Sequence, residues 1–226
     1  MVKAYLELDD MVVMERVATN LRDRLLIRML SRLGCRISEV LGLTLQDVDF
    51  TRGTVTIKHL KARPKLSCTV CGQKLGITRT FCPNCGSRTD KVQVEQQERR
   101  RQRVLPVDND TLKLLNEYVQ HRSPVIRNGR ELISGINRHR AWQIVTQCPE
   151  RAGLPKLNNP ETGRVHNVSP HRLRHAFAVH AIKLDDSGDG PRLLHEHLGH
   201  QSFNATAKYR KVAGEEHREW YQKLWE

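Results

Sequence analysis

Four of the six cysteines stand in two C-x-x-C pairs, Cys68 with Cys71 and Cys82 with Cys85, with ten residues between the pairs. Gly72 and Gly86 follow the second cysteine of each pair. Such a knuckle lets backbone N–H groups face the thiolates, and four thiolates at this spacing suit tetrahedral zinc. Four thiolates leave no open coordination position, so the expected role is structural, with one Zn²⁺ per chain. Cys35 and Cys148 stand alone. In a reducing compartment paired cysteines of this kind indicate metal binding rather than disulfides.

The flanks say where this module sits. Gly53 precedes a segment, Thr54 to Lys61, whose β-branched start reads as a strand. Composition changes at Pro64. After a polar run, Gln93 to Glu98, comes a basic run, Arg99 to Arg103, that leads into Val104-Leu105-Pro106-Val107, a second strand. The pattern predicts a β-hairpin whose tip is expanded into the metal module. Domain boundaries follow: a first part at 1–63, the insertion at 64–98, a second part at 99–226.

Helical spacing dominates elsewhere. Leu8 to Val17 reads as a helix with Asp9 and Asp10 available to cap it. Leu21, Leu25, Leu26, Met29, Leu30 and Leu33 recur as one apolar face, ended by Gly34. A short helix follows from Arg36 to about Gly42. Asp108 to Asp110 offer N-caps for a helix carrying Leu112, Leu115, Tyr118 and Val119. Further helices are expected at 138–152, 171–183, 191–198, 203–212 and 215–225, with a turn-rich loop at 185–190. The class is α+β, mainly helical with one small antiparallel sheet.

Lys plus Arg exceeds Asp plus Glu by 38 to 25, a formal net charge of +13. That balance favours a polyanionic partner, nucleic acid before an anionic membrane surface. The N-terminus has no apolar h-region, and no apolar run approaches the roughly 18 residues a span needs. The expected location is cytoplasmic, associated with the nucleoid, with no membrane partner.

Four short segments carry chemistry: Gly34-Cys35-Arg36-Ile37-Ser38-Glu39, Pro170-His171-Arg172-Leu173-Arg174-His175, Leu198-Gly199-His200, and Tyr209 nine residues after His200. Each by itself is an ordinary helix start, surface pair or packed aromatic. In this order and spacing they resemble the tyrosine recombinase (phage integrase) family over nearly the whole chain. Residues 20–49 look like its first arginine box, 171–180 like its HxLRHxFA box, and 198–209 like its LGHxxxxTTxxY box, with Ala205-Thr206 where many members have Thr-Thr.

The resemblance implies roles that have physical reasons. Attack on a phosphodiester concentrates charge on its non-bridging oxygens, and two guanidinium forks can hold them into the transition state. Arg36 and Arg174 match the family's clamp arginines. Tyr209 matches the nucleophile; a free tyrosine titrates near ~10 and needs its proton removed. His171 matches an acid/base or phosphate-binding group, and His200 the group that hydrogen-bonds the scissile phosphate. Glu39 braces Arg36, and His175 is structural. The leaving 5′-oxygen takes its proton from a lysine near the hairpin tip, for which Lys61 aligns best, with Lys58 and Lys65 competing. No cofactor serves catalysis, because the phosphotyrosyl ester retains the energy of the broken bond. The absence of a GxxxxGK loop agrees.

The implied function is site-specific DNA recombination through a 3′-phosphotyrosyl intermediate on double-stranded DNA. Two alternatives remain at this point: a type IB topoisomerase-like strand transferase, and a non-catalytic DNA-binding or zinc interaction protein. The inserted module, which resembles a zinc ribbon, departs from the short turn of most members. Lys74, Arg79 and Arg88 surround it with positive charge that leans toward phosphate contact. The family's N-terminal DNA-clamping domain is expected to be absent. The segment after Gly214, with Trp220 and Trp225, either docks on its own domain or, as the resemblance implies, joins subunits into a tetramer on DNA. His195 and His197, two apart on a helix, are expected to point apart and hold no second metal.

Overall fold

The computed structural model describes residues 3–58, 65–76, 79–88, 92–95, 102–159, 162–185, 188–200, 202–207, 209 and 222. Two compact units divide the chain: Met1–Ile57 with Arg103–Glu226, and Lys58–Gln102.

The larger unit is built on α1 (Leu8–Arg16), α2 (Leu21–Arg32) and α3 (Ile37–Leu41). Glu7 holds the N-cap position of α1, and Asp10 closes the capping box from the third helical position, its Oδ2 accepting from the Glu7 N–H at 2.9 Å. Asn20 caps α2 through the Asp23 N–H. The α2 face foreseen from spacing is buried: Leu25, Leu26, Met29, Leu30 and Leu33 are all core residues. Ile27 is also fully buried, so α2 is covered on more than one stripe. Gly34 leaves the helix at φ +56, and α3 begins at once with Arg36 as its N-cap.

Strands β1 (Val48–Asp49) and β2 (Thr54–Lys58) pair antiparallel. In the smaller unit β3 (Lys65–Cys68) lies between β4 (Lys74–Leu75) and β5 (Val92–Glu95). The chain then returns along β6 (Gln102–Pro106), which hydrogen-bonds beside β2. Next come α4 (Asn109–His121), capped by Asp108, then β7 (Val125–Arg127) and β8 (Arg130–Leu132), and α5 (Arg138–Arg151). The two-strand pair β9 (Leu157–Asn158) and β10 (Val165–His166) leads into α6 (Pro170–Lys183), α7 (Gly190–Leu198) and α8 (Asn204–Ala207).

The expectation of one small sheet is corrected: the described residues hold two further hairpins and a separate sheet in the smaller unit. The β7–β8 turn is Asn128-Gly129, both at positive φ, +50 and +70. Asn-Gly between short apolar-bearing runs is a strong two-residue hairpin signal and was readable in the sequence. The expected helix at 215–225 lies outside the described residues apart from Gln222, as does Lys61.

One core joins α1, α2, α3, β2, β6, α4, α5 and the start of α6. A smaller cluster gathers Ala178, Leu194 and Leu198, with Phe177 and Tyr209 packed on it. Among the described residues no helix is long and apolar enough to cross a membrane.

Candidate active site

Arg174 sits on the second turn of α6 and is 5% exposed. Its Nη1 donates to the Gly34 carbonyl at 2.7 Å and its Nη2 to the Leu198 carbonyl at 2.8 Å. One guanidinium thus joins the loop after α2, the α6 box and the end of α7. Gly34 makes that approach possible. Its left-handed φ suits glycine, and a Cβ there would stand 2.4 Å from Phe177 Cδ1.

Arg36 opens α3, and its side chain keeps about a third of its surface exposed, 33%. Its backbone N–H donates to Glu39 Oε2 at 2.8 Å and its Nη1 to Glu39 Oε1 at 2.9 Å. Arg103, on β6, donates to the same carboxylate: Nη1 to Oε1 at 3.1 Å and Nη2 to Oε2 at 2.8 Å. Burial opposes ionisation of Glu39. The hydrogen bonds and charge of Arg103, then those of Arg36, outweigh it and hold the carboxyl down to about 2. Burial, then the charges of Arg36 and Arg103, brings Arg174 down to about 10, against the pull of Glu39 and Tyr209. Two guanidiniums share one carboxylate with a third cation, Arg174, close by, and the site keeps a positive surplus ready for an anion.

Gly199 ends α7 at φ +62 and turns the chain into His200. His200 is 8% exposed, and its Nδ1 lies 2.7 Å from Thr206 Oγ1 on α8. The Tyr209 ring stacks on His200 with centroids 6.2 Å apart and planes 18° apart. It meets His175 edge-on at 5.3 Å. The structure thus brings together Arg36, Glu39, Arg174, His200 and Tyr209 from segments far apart in the chain. His171 is exposed on the first turn of α6, one turn before Arg174 on the same side of the helix. Burial pushes the neighbouring Cys35 thiol up to about 12, which disqualifies it as a nucleophile.

Arg103 is the residue missed from the sequence. It closes the basic run that leads into the second strand. The signal was the period of two: Arg103, Leu105 and Val107 share one face, and the latter two are core.

His195 and His197 do point apart. His197 donates from Nε2 to the Leu33 carbonyl at 3.0 Å and stacks on Phe177, while His195 packs near Phe203 and Thr206. In the smaller unit Cys68, Cys71, Cys82 and Cys85 place their sulfurs within 4.8 Å of one another, an arrangement that could bind a metal. Cys68 to Cys85 is 3.6 Å and Cys71 to Cys82 is 3.5 Å. Tetrahedral zinc with bonds of about 2.3 Å needs sulfurs roughly 3.8 Å apart, so the donor set fits. The two knuckles are closed by backbone bonds, Gly72 N–H to the Cys68 carbonyl and Gly86 N–H to the Cys82 carbonyl, each 2.9 Å.

Comparison with known proteins agrees with this geometry. The chain matches the model of the phage integrase family over residues 7–78 and 83–216. It is 27% identical over 201 residues to tyrosine recombinase XerD of Neisseria meningitidis serogroup B, covering 85% of this chain and 51% of that protein. It is 26% identical over 223 residues to tyrosine recombinase XerA of Pyrococcus horikoshii, covering 95% of this chain and 59% of the relative. The chain thus spans about half the length of the curated relatives it matches. Among solved structures, the XerA recombinase superposes with a TM-score of 0.63 at 18% identity over 99% of this chain and 64% of the other. The XerH site-specific recombinase bound to its difH substrate, a pre-cleavage complex, gives 0.61 at 19% identity over 100% of this chain and 54% of the other. These likenesses show the catalytic fold of tyrosine recombinases, helices with small antiparallel sheets. The chain belongs to the phage integrase family.

Proposed function

We propose that this chain is the catalytic part of a site-specific DNA recombinase that cleaves and rejoins double-stranded DNA through a 3′-phosphotyrosyl intermediate. The observation that carries the reading is the Arg174 guanidinium, which holds the Gly34 and Leu198 carbonyls and so gathers the arginine, histidine and tyrosine segments around one point.

Arg36 and Arg174 clamp the non-bridging oxygens of the scissile phosphate and follow the charge that builds there. His200, its Nδ1 tied to the Thr206 hydroxyl at 2.7 Å, donates from Nε2 to the phosphate. Tyr209 attacks phosphorus as its phenolic proton leaves, with His171 the acid/base group on the open side of α6. The bond to the 5′-oxygen breaks, and Lys61 protonates that oxygen. The 5′-hydroxyl of a partner strand reverses the step, so no nucleotide or metal enters the reaction. The XerD and XerA names and the DNA-bound XerH structure support DNA as partner.

Zinc in the four-cysteine site plays a structural part, organising residues 64–98 as a ribbon-like insertion between catalytic segments at 1–63 and 99–226. The mutual sulfur distances and the closed donor set support this. Subunits assemble as a tetramer on DNA through the helix expected from residue 215. Deleting the residues after Gly214 is expected to weaken assembly and strand exchange more than binding by one subunit; unchanged assembly refutes it.

The test of the main reading is covalent trapping. Whole protein is mixed with nicked suicide duplexes carrying a randomised central segment, and adducts are recovered from a denaturing gel and sequenced. A protein–DNA adduct on a restricted sequence set supports recombination. Adducts on every sequence, with relaxation of supercoiled plasmid, indicate a topoisomerase-like enzyme; no adduct refutes strand cleavage.

A further inference from the structure

The run Arg99-Arg100-Arg101-Gln102-Arg103 invites a single reading as a basic patch, but its last member stands apart in the fold. Strand alternation turns Arg103 inward with Leu105 and Val107, and its side chain is 11% exposed against 33% for Arg36. Its two terminal nitrogens take one oxygen each of Glu39, at 3.1 and 2.8 Å. The same two oxygens accept from Arg36, through Nη1 at 2.9 Å and the backbone N–H at 2.8 Å. An ionised carboxylate has about four lone-pair sites, and here all four are filled. Glu39 therefore cannot rotate without losing charged hydrogen bonds, and its Oε1 anchors one end of the Arg36 guanidinium through Nη1.

The charge balance points the same way. Arg36 paired alone with Glu39 would form a neutral couple with little attraction for a phosphate. Arg103 takes half of the carboxylate's acceptor capacity and adds a unit of positive charge, leaving the trio at a net +1. Arg103 also reaches the other half of the site. A Cβ on Gly199 would lie 3.0 Å from Arg103 Nη1 and 3.4 Å from its Cδ, so the guanidinium rests against the turn that delivers His200.

We propose that Arg103 is a positioning residue for strand cleavage: clasping Glu39 from β6, it sets the plane in which Arg36 presents its guanidinium to the scissile phosphate. The inference rests on the recombinase reading for its activity assay but has a second test that needs no DNA.

In the first test the whole chain is used with a nicked suicide duplex, recovered by the wild-type protein from the randomised pool. Arg103→Lys keeps one charge but cannot hold both oxygens. It is expected to lower the melting temperature only by what the rise in the Glu39 midpoint accounts for, to stay folded at the assay temperature and to keep the duplex Kd, while single-turnover adduct formation slows about 10- to 100-fold. Glu39→Gln is expected to slow it comparably, and the double variant to be no slower than the slower single one. A wild-type rate in Arg103→Lys, multiplying losses in the double variant, or losses that merely track unfolded protein all overturn the proposal. In the second test the Glu39 side-chain carboxyl carbon is followed by NMR titration. The midpoint near 2 in the wild type is expected to move up in Arg103→Lys, because burial then meets a weaker partner. An unmoved midpoint overturns the proposal. If the wild type yields no adduct on any duplex, the recombinase reading fails, and the carboxyl titration alone decides whether Arg103 governs Glu39.

Discussion

The guanidinium of Arg174 donates to the carbonyl of Gly34 at 2.7 Å, across 140 residues of sequence. A backbone carbonyl at the end of a helix normally bonds water or the next turn. Here it is used to orient a buried cation, and the same cation takes the Leu198 carbonyl as well. The site's geometry and the packing of α2, α6 and α7 are thus one structure. Arg174→Lys keeps a charge but cannot span both carbonyls. Expected losses are about 100-fold or more in adduct formation and roughly 1–3 kcal/mol in stability from acceptors left unmatched. Single-turnover kinetics and urea midpoints measure the two.

Tyr209→Phe removes one oxygen and leaves the ring stacked between His175 and His200. Duplex binding should be unchanged within twofold and covalent adduct abolished. Adduct at the wild-type level in this variant would reject Tyr209 and direct attention to Tyr221.

Gly34→Ala places a methyl 2.4 Å from Phe177 Cδ1 on a backbone at φ +56. Both strain terms act together, and a destabilisation of about 2–4 kcal/mol is expected. Phe177→Leu in the same chain should restore part of it by freeing space, but not the backbone part. A Gly34→Ala protein with the wild-type urea midpoint contradicts this packing.

Glu39 ionises more easily folded than unfolded, with its carboxyl held at about 2 against an ordinary 4.5. Its folded value is depressed, so the stabilisation is full above 4.5 and is lost as pH falls from 4.5 toward 2. The contribution at neutral pH is on the order of 3 kcal/mol. Urea unfolding of the wild type and Glu39→Gln should differ most above pH 5 and converge only as pH falls toward 2. A difference that does not change with pH refutes the linkage.

Purified protein is expected to carry about one zinc per chain, lost on Cys82→Ser because three thiolates hold the ion less well. Cleavage should proceed without added Mg²⁺. Elemental analysis showing no zinc, with the four cysteines freely titrated by a thiol reagent in native protein, removes the metal module. An absolute need for Mg²⁺ removes the phosphotyrosine mechanism.

Local chemistry settled much of this protein in advance. The period of 3.6 located α2, Asp108 marked the start of α4, and the cysteine spacing foresaw a cluster whose sulfurs do converge. These features depend on neighbours a few residues away, which sequence displays directly. The motif order likewise picked out Arg36, Arg174, His200 and Tyr209, now found around one point. What tertiary structure decided is who shares a partner. Nothing near Glu39 in the sequence says that its carboxylate is divided between Arg36 and a strand residue 64 positions on. Nor does the α6 box say that Arg174 spends its hydrogen bonds on two backbone carbonyls. Those pairings arise because β6 lies beside β2 and because α7 ends against α2, and packing, not local propensity, sets both.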